Sequence, residues 1–212
     1  MARTDETKAF VERWKKIIAA VPEGKSNEQQ DTQKFWIDLL ESVLGIPSGE
    51  IAGFVDFERK VRGRRIDVFV SDHHFLCEQK SVGVNLDEPE LRNKTFVTPF
   101  QQAMWYAQNL PYSERPRWVM TCNFETFRLY DLDDERPEEG FQEFSLDELP
   151  NHAYLLSFHH LSGDEPSPQG AAALRRGGHL RFQAVRRAGE AVSPHRHGRR
   201  GAEVAQRPYY PR

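Results

Sequence analysis

The sequence predicts an α/β fold, a mixed central sheet flanked by helices, and three observations predict it. Two amphipathic helical stretches open the chain. Residues 64–81 (R-R-I-D-V-F-V-S-D-H-H-F-L-C-E-Q-K-S) then read as two strands around a tight turn, and a capped helix after residue 97 is followed by two more strand patterns. With 212 residues and 38% hydrophobic side chains the chain can bury one sizeable core.

Residues 4–21 place Phe10, Trp14, Ile17, Ile18 and Val21 on one helical face. Pro22 and Gly24 end that helix. Ser26 is the expected cap of a second helix, with Gln29 completing a capping box. Its apolar stripe is Phe35, Trp36, Leu39, Leu40, Val43 and Leu44, and Gly45 and Pro47 stop it. The polar start of this helix, with Glu28 and Asp31, is a candidate to approach a site on the sheet. Residues 47–53 read as a loop and 54–61 as the first strand.

The hairpin carries the chemistry. If it is symmetric about the Asp72–His73 bond, Val70 faces Phe75 and Asp67 faces Glu78, while Lys80 shares that face two residues on. Two carboxylates opposed on a half-buried sheet repel each other. A divalent cation gives a reason for the pairing, because Mg²⁺ takes hard oxygen ligands from one or two carboxylates plus waters and phosphate. A neighbouring lysine can position or deprotonate an attacking water. Asp67, Glu78 and Lys80 therefore form a candidate site for phosphodiester hydrolysis. The plainer alternative is a surface hairpin in which Lys80 simply pairs with Glu78. The basic cluster Arg59, Lys60, Arg62, Arg64 and Arg65 leads directly into Asp67 and is expected to contact DNA phosphates.

Residues 82–97 read as a polar loop flanking this site. Thr98 is the expected cap of the next helix, with Pro99 at its first position and Gln101 closing a capping box. Gln102 and Tyr106, four apart, share a face and can hydrogen-bond a phosphate or orient the carboxylates. Residues 117–123 and 126–132 read as strands joined at Phe124-Glu125. An acidic loop (133–140), a helical turn (145–149) and an apolar segment (154–161) follow.

The character changes after residue 161. Residues 171–212 hold ten arginines, no lysine and only Glu190 and Glu203, so this +8 tail leaves −11 for the rest of a chain of net charge −3. Such a body is no general polyanion binder. The tail reads either as a basic arm for nucleic acid or, preferred here, as GC-rich coding sequence read out of frame. Three parts result: an N-terminal helix (1–24), a catalytic body (25–161), and a linker with Arg-rich tail (162–212). No run approaches the roughly 18 apolar residues of a membrane span, and no signal peptide is visible, so a cytoplasmic protein is expected. Cys77 and Cys122 sit in apolar strand patterns and read as reduced core thiols.

Helix, strand, Asp67-bearing strand, Glu78-x-Lys80 strand and a helix with Gln102-x-x-x-Tyr106 resemble a PD-(D/E)xK nuclease core, on its RecB-like branch. More narrowly, residues 27–45, F-E-R-K-V (57–61), R-I-D-V-F-V (65–70), T-P-F-Q-Q-A-M-W-Y-A-Q-N-L-P (98–111) and 118–132 resemble the N-terminal domain of MmeI-type single-chain restriction–modification enzymes. The resemblance covers roughly residues 8–161. It implies a restriction-endonuclease-like core in which Asp67 and Glu78 ligate Mg²⁺ (or Mn²⁺), Lys80 is the catalytic lysine, and Gln102 and Tyr106 support them. It implies double-stranded DNA as substrate. In that family a helical spacer, an S-adenosylmethionine-dependent adenine methyltransferase and a target-recognition domain follow. This chain shows no Asn-Pro-Pro-Tyr/Phe motif and no Gly-rich cofactor loop, so it reads as a truncated endonuclease fragment without them. Its further expected partners are those absent domains or an oligomer on DNA. The rival function is a catalytically silent DNA-binding or interaction module with a nuclease fold.

Overall fold

The computed structural model describes residues 4–22, 24–92 and 94–157. The end of the expected 154–161 segment, and the whole linker and tail (162–212), lie outside the described residues. Helix α1 spans Thr4–Ala19 and α2 spans Glu28–Asp38, continued by a wider π-type turn at Leu39–Val43; α3 is Ser48–Phe54. Strands β1 (Asp56–Val61), β2 (Arg64–Val70) and β3 (Phe75–Gln79) follow, then a separate hairpin of β4 (Glu90–Arg92) and β5 (Thr95–Val97). Helix α4 (Pro99–Asn109) leads into β6 (Trp118–Cys122), β7 (Thr126–Asp131), β8 (Gln142–Ser145) and the short α5 (Leu149–His152). The six-stranded sheet runs β1-β2-β3-β6-β7-β8. Among the described residues only the β3–β6 pairing of this sheet is parallel; the others are antiparallel. The mixed sheet with helices on both faces is an α/β architecture compatible with a restriction-endonuclease-like core.

Each face buries its own cluster. Phe10 and Trp14 of α1, Phe35 and Trp36 of α2, and Leu39, Leu40 and Val43 pack on Val68, Val70, Cys77, Met120 and Phe127. On the other face Ala103, Tyr106 and Leu110 of α4 pack on Ile66, Phe69, Leu76 and Val119. Residues 4–19 thus share the main core. Ile17, expected on the buried face of α1, is 37% exposed, and Val11 and Thr7 are buried instead.

Three local expectations are corrected. Residues 47–53 are not a loop, since α3 spans Ser48–Phe54 and buries Ile51; Gly49 and Gly53 disguise a short helix anchored by one apolar residue. Residues 82–97 contain the β4–β5 hairpin, whose three-residue strands are too short to give a strand signal. Ser26 does not cap α2: its hydroxyl bonds the Ser81 hydroxyl (2.6 Å), and Asn27 occupies the cap position without a side-chain cap bond. Asn27 Oδ1 instead accepts the Val82 N–H (3.1 Å). Both residues tie the start of α2 to the segment after Lys80.

The expected cap of α4 forms. Thr98 Oγ1 accepts the Gln101 N–H (3.2 Å) and Gln101 Oε1 accepts the Thr98 N–H (3.1 Å). Thr98→Ala removes one arm, and a loss of about 1 kcal/mol is expected in urea unfolding. An unchanged midpoint would mean that packing alone holds this helix end.

Candidate active site

The β2–β3 hairpin has the expected register, pairing Val68 with Cys77, Phe69 with Leu76 and Val70 with Phe75. A 3₁₀ turn at Ser71–His73 and a left-handed His74 (φ 50°) close it. At Asp67 the alternation slips. Ile66 and Phe69 belong to the α4-side cluster, whereas Val68 and Val70 belong to the other, and Glu58 on neighbouring β1 has φ 55°. This irregularity frees the Asp67 carboxylate from a flat ladder. Its Oδ2 accepts the backbone N–H of Gln79 at 2.7 Å.

Glu78 and Lys80 project toward α4, and each residue is 1% exposed. Lys80 Nζ donates to Glu78 Oε1 (2.7 Å) and to Gln102 Oε1 (3.1 Å). Glu78 Oε2 is buried with no hydrogen-bond partner among the described residues. Tyr106, one turn after Gln102, is buried and hydrogen-bonds it. All five residues named from the sequence, Asp67, Glu78, Lys80, Gln102 and Tyr106, thus come together at the end of β3. Hydrogen bonds anchor this end. Lys80 N–H donates to the Cys122 carbonyl (2.7 Å), which extends the parallel ladder. Gln79, pointing to the opposite face, accepts from Trp36 Nε1 (3.0 Å) and donates to the Lys80 carbonyl (3.1 Å).

The electrostatics are those of crowded carboxylates. Burial, opposed by the Gln79 N–H and reinforced by Glu28, pushes the Asp67 carboxyl from 3.8 up to about 7. Burial and then the Asp67 charge hold Glu78 well above the usual carboxylate range, against the pull of Lys80. Burial also raises Glu28, which feels the charges of Lys80 and Arg92, and pushes Tyr106 up to about 12. The start of α2 does approach the site, but through Glu28; Asp31 pairs instead with Asn27 (3.3 Å) and Lys34 (3.4 Å).

The basic cluster divides. Arg62-Gly63, both with positive φ, form the two-residue turn between β1 and β2, with Lys60 and Arg62 exposed. Arg59 is engaged by Asp56 (2.9 Å) and Glu114 (2.6 Å) and lies over the Phe69 ring. Arg65 pairs with Glu58 (3.2 Å), and Arg64 stacks 4.0 Å from the Trp105 ring centre. Sequence reasoning did not single out Glu90 and Arg92. Glu90 lies 3.7 Å from Lys80 and 2.9 Å from Arg92. Only their period-2 spacing in E-L-R could have hinted that they share a face.

Among the described residues no three His, Cys, Asp or Glu side chains gather as a metal-holding group. Mg²⁺ does not require three, since two carboxylates with waters and a phosphate suffice. The residues present fit such an ion, because the unpartnered Glu78 Oε2 and the raised Asp67 mark uncompensated acceptor capacity. Cys77 and Cys122 are buried free thiols. No described helix is long and apolar enough to cross a membrane. A family model described as "MmeI, N-terminal domain" matches residues 5–174. No curated protein and no solved structure matches the chain.

Proposed function

We propose a function from one premise: the chain belongs to the MmeI N-terminal domain family. Its body is the Mg²⁺-dependent endonuclease domain of a restriction–modification protein, hydrolysing phosphodiester bonds of double-stranded DNA. The observation that supports this most is the buried Lys80, bridged to Glu78 and Gln102 beside a Glu78 oxygen with no partner. A buried ion pair with an orphaned oxygen is a poor device for stability and a good one for receiving a cation.

Asp67 and Glu78 would hold the ion. When bound, it supplies Lewis-acid stabilisation of the phosphate and lowers the pKa of its water. Lys80 keeps a proton donor aimed into the centre, positioned by Gln102, and Tyr106 in turn orients Gln102. Gln79 ties β3 to β2 through its backbone N–H on Asp67, and β3 to α2 through its side chain, which accepts from Trp36. Arg64, Arg65, Lys60 and Arg62 would track the DNA backbone. Methylation with S-adenosylmethionine and target recognition belong, in this reading, to other domains of such proteins.

The test is nicking of supercoiled plasmid by the full chain with Mg²⁺ or Mn²⁺, and with EDTA, beside Lys80→Ala. Metal-dependent nicking that falls at least about a hundredfold in the variant is expected. A folded chain that binds Mn²⁺ and DNA but never nicks would make it a silent DNA-binding module.

A further inference from the structure

The groups that a phosphate must reach are covered. Lys80 and Glu78 are almost fully buried, and part of the cover over Lys80 is Glu90. Glu90 Oε2 lies 3.7 Å from Lys80 Nζ and accepts from Arg92 Nη2 at 2.9 Å. One carboxylate oxygen is therefore shared between two cations from different segments. Two convergent cations are the environment that a phosphate oxygen seeks. Glu90 and Arg92 lie two apart in β4 and so share a face of the hairpin. That face borders a cleft of about 620 Å³, also lined by Lys25, Glu28 and Ser81.

We propose that Lys80 and Arg92 form a phosphate subsite and that Glu90 occupies it as an internal anion until a DNA backbone phosphate displaces it. This rests on the function proposed above. Three features let the displacement occur. The Glu90–Arg92 pair is partly exposed (35% and 44%), and such pairs add little to stability. The outer face of the hairpin carries Leu91 and Phe96, paired in register and already 61% and 66% exposed, so little apolar burial by these two side chains resists movement. The preceding segment is pinned independently, with the Val84 carbonyl accepting from Asn123 (2.8 Å) and Asp87 held by Arg128 (2.7 and 2.9 Å). Glu90 can leave without unravelling it. Withdrawal also removes a negative charge from a centre that already contains Asp67, Glu78 and Glu28, and this favours the incoming polyanion.

The test is fluorescence anisotropy of a labelled 20-base-pair duplex with the full chain in EDTA, where no cleavage occurs, across a salt series. Glu90→Gln is expected to tighten binding about tenfold. Arg92→Gln is expected to weaken it about tenfold and to lower the slope of log affinity against log salt by about one, the signature of a lost phosphate contact. Acetic anhydride labelling of Lys80, read by mass spectrometry, should rise in Glu90→Gln. Unchanged or weaker binding by Glu90→Gln, an unaltered salt slope for Arg92→Gln, or no duplex binding by any of the three chains would each overturn the proposal. The nuclease reading fails separately. A chain that never nicks but binds DNA more tightly as Glu90→Gln keeps the subsite, and a chain that nicks while both substitutions are silent keeps only the nuclease.

Discussion

Asp67→Asn is expected to stabilise the metal-free protein at pH 8 while abolishing metal-dependent nicking. The folded state raises the Asp67 carboxyl from 3.8 to about 7, mainly by burial. Between those values the folded chain binds a proton that the unfolded chain releases. Stability is therefore full below about pH 4, declines as pH climbs, and levels off above about pH 7. At 1.36 kcal/mol for each tenfold change, the gap is worth at most about 4 kcal/mol, and partial exposure of Asp67 brings this to about 2. Asparagine carries no such charge and can still accept the Gln79 N–H. Urea unfolding in EDTA at pH 4 and pH 8 checks this: the variant should gain nothing at pH 4 and about 2 kcal/mol at pH 8. Equal stabilities at pH 8 would show that Asp67 is solvated after all. Saturating Mg²⁺ should stabilise only the unaltered chain, by mass action, and more strongly at pH 8 than at pH 6.

Phe35→Ala is expected to have the largest effect on stability. Phe35 is fully buried, and its ring lies 4.8 to 6.2 Å from those of Phe10, Trp14, Trp36, Phe124 and Phe127. These rings join α1 and α2 to the sheet and to the turn before β7. Truncation leaves a cavity that five large rings cannot easily fill, at a cost of about 3–5 kcal/mol, a large share of a domain stability of about 5–15 kcal/mol. The same change in α2 should loosen the Trp36–Gln79 bond that backs the site. Denaturant melts give the first effect and Mn²⁺ affinity of the still-folded fraction the second. A loss below about 1 kcal/mol would mean that the ring cluster collapses readily.

The residues that proved legible are those whose signal is local and redundant. Thr98, Pro99 and Gln101 announce a helix start three times over, and the structure forms that cap. Val70 and Phe75 bracket a short polar turn, so the register of the active hairpin follows from counting. The placement of Asp67, Glu78, Lys80, Gln102 and Tyr106 inherits that register and the fourfold spacing on α4. What stayed hidden depends on partners far along the chain. Ser26 carries a cap signature, but Ser81 captures its hydroxyl. Glu90 and Arg92 look like loop charges until the fold brings Lys80 beside them. The α3 helix hides behind two glycines because its one buried contact, Ile51, is tertiary.

The parallel seam has a kinetic consequence. Strands β1, β2 and β3 form one antiparallel meander with short turns, and β6, β7 and β8 another, in which β6 and β7 are joined by a short turn and β8 returns after the loop at 132–141. Only the β3–β6 ladder joins them, and it pairs Phe75 with Trp118 across the whole intervening hairpin and α4. Local meanders form quickly, whereas a long crossover must first overcome loop-closure entropy. Zipping of this seam should therefore be the slow step of folding, with the Asp67–Glu78 hairpin formed beforehand. In pulsed hydrogen exchange during refolding, the β2–β3 amides should gain protection before those of the seam. On a ribosome the first meander must wait, with one edge open, until residues 118–122 have emerged.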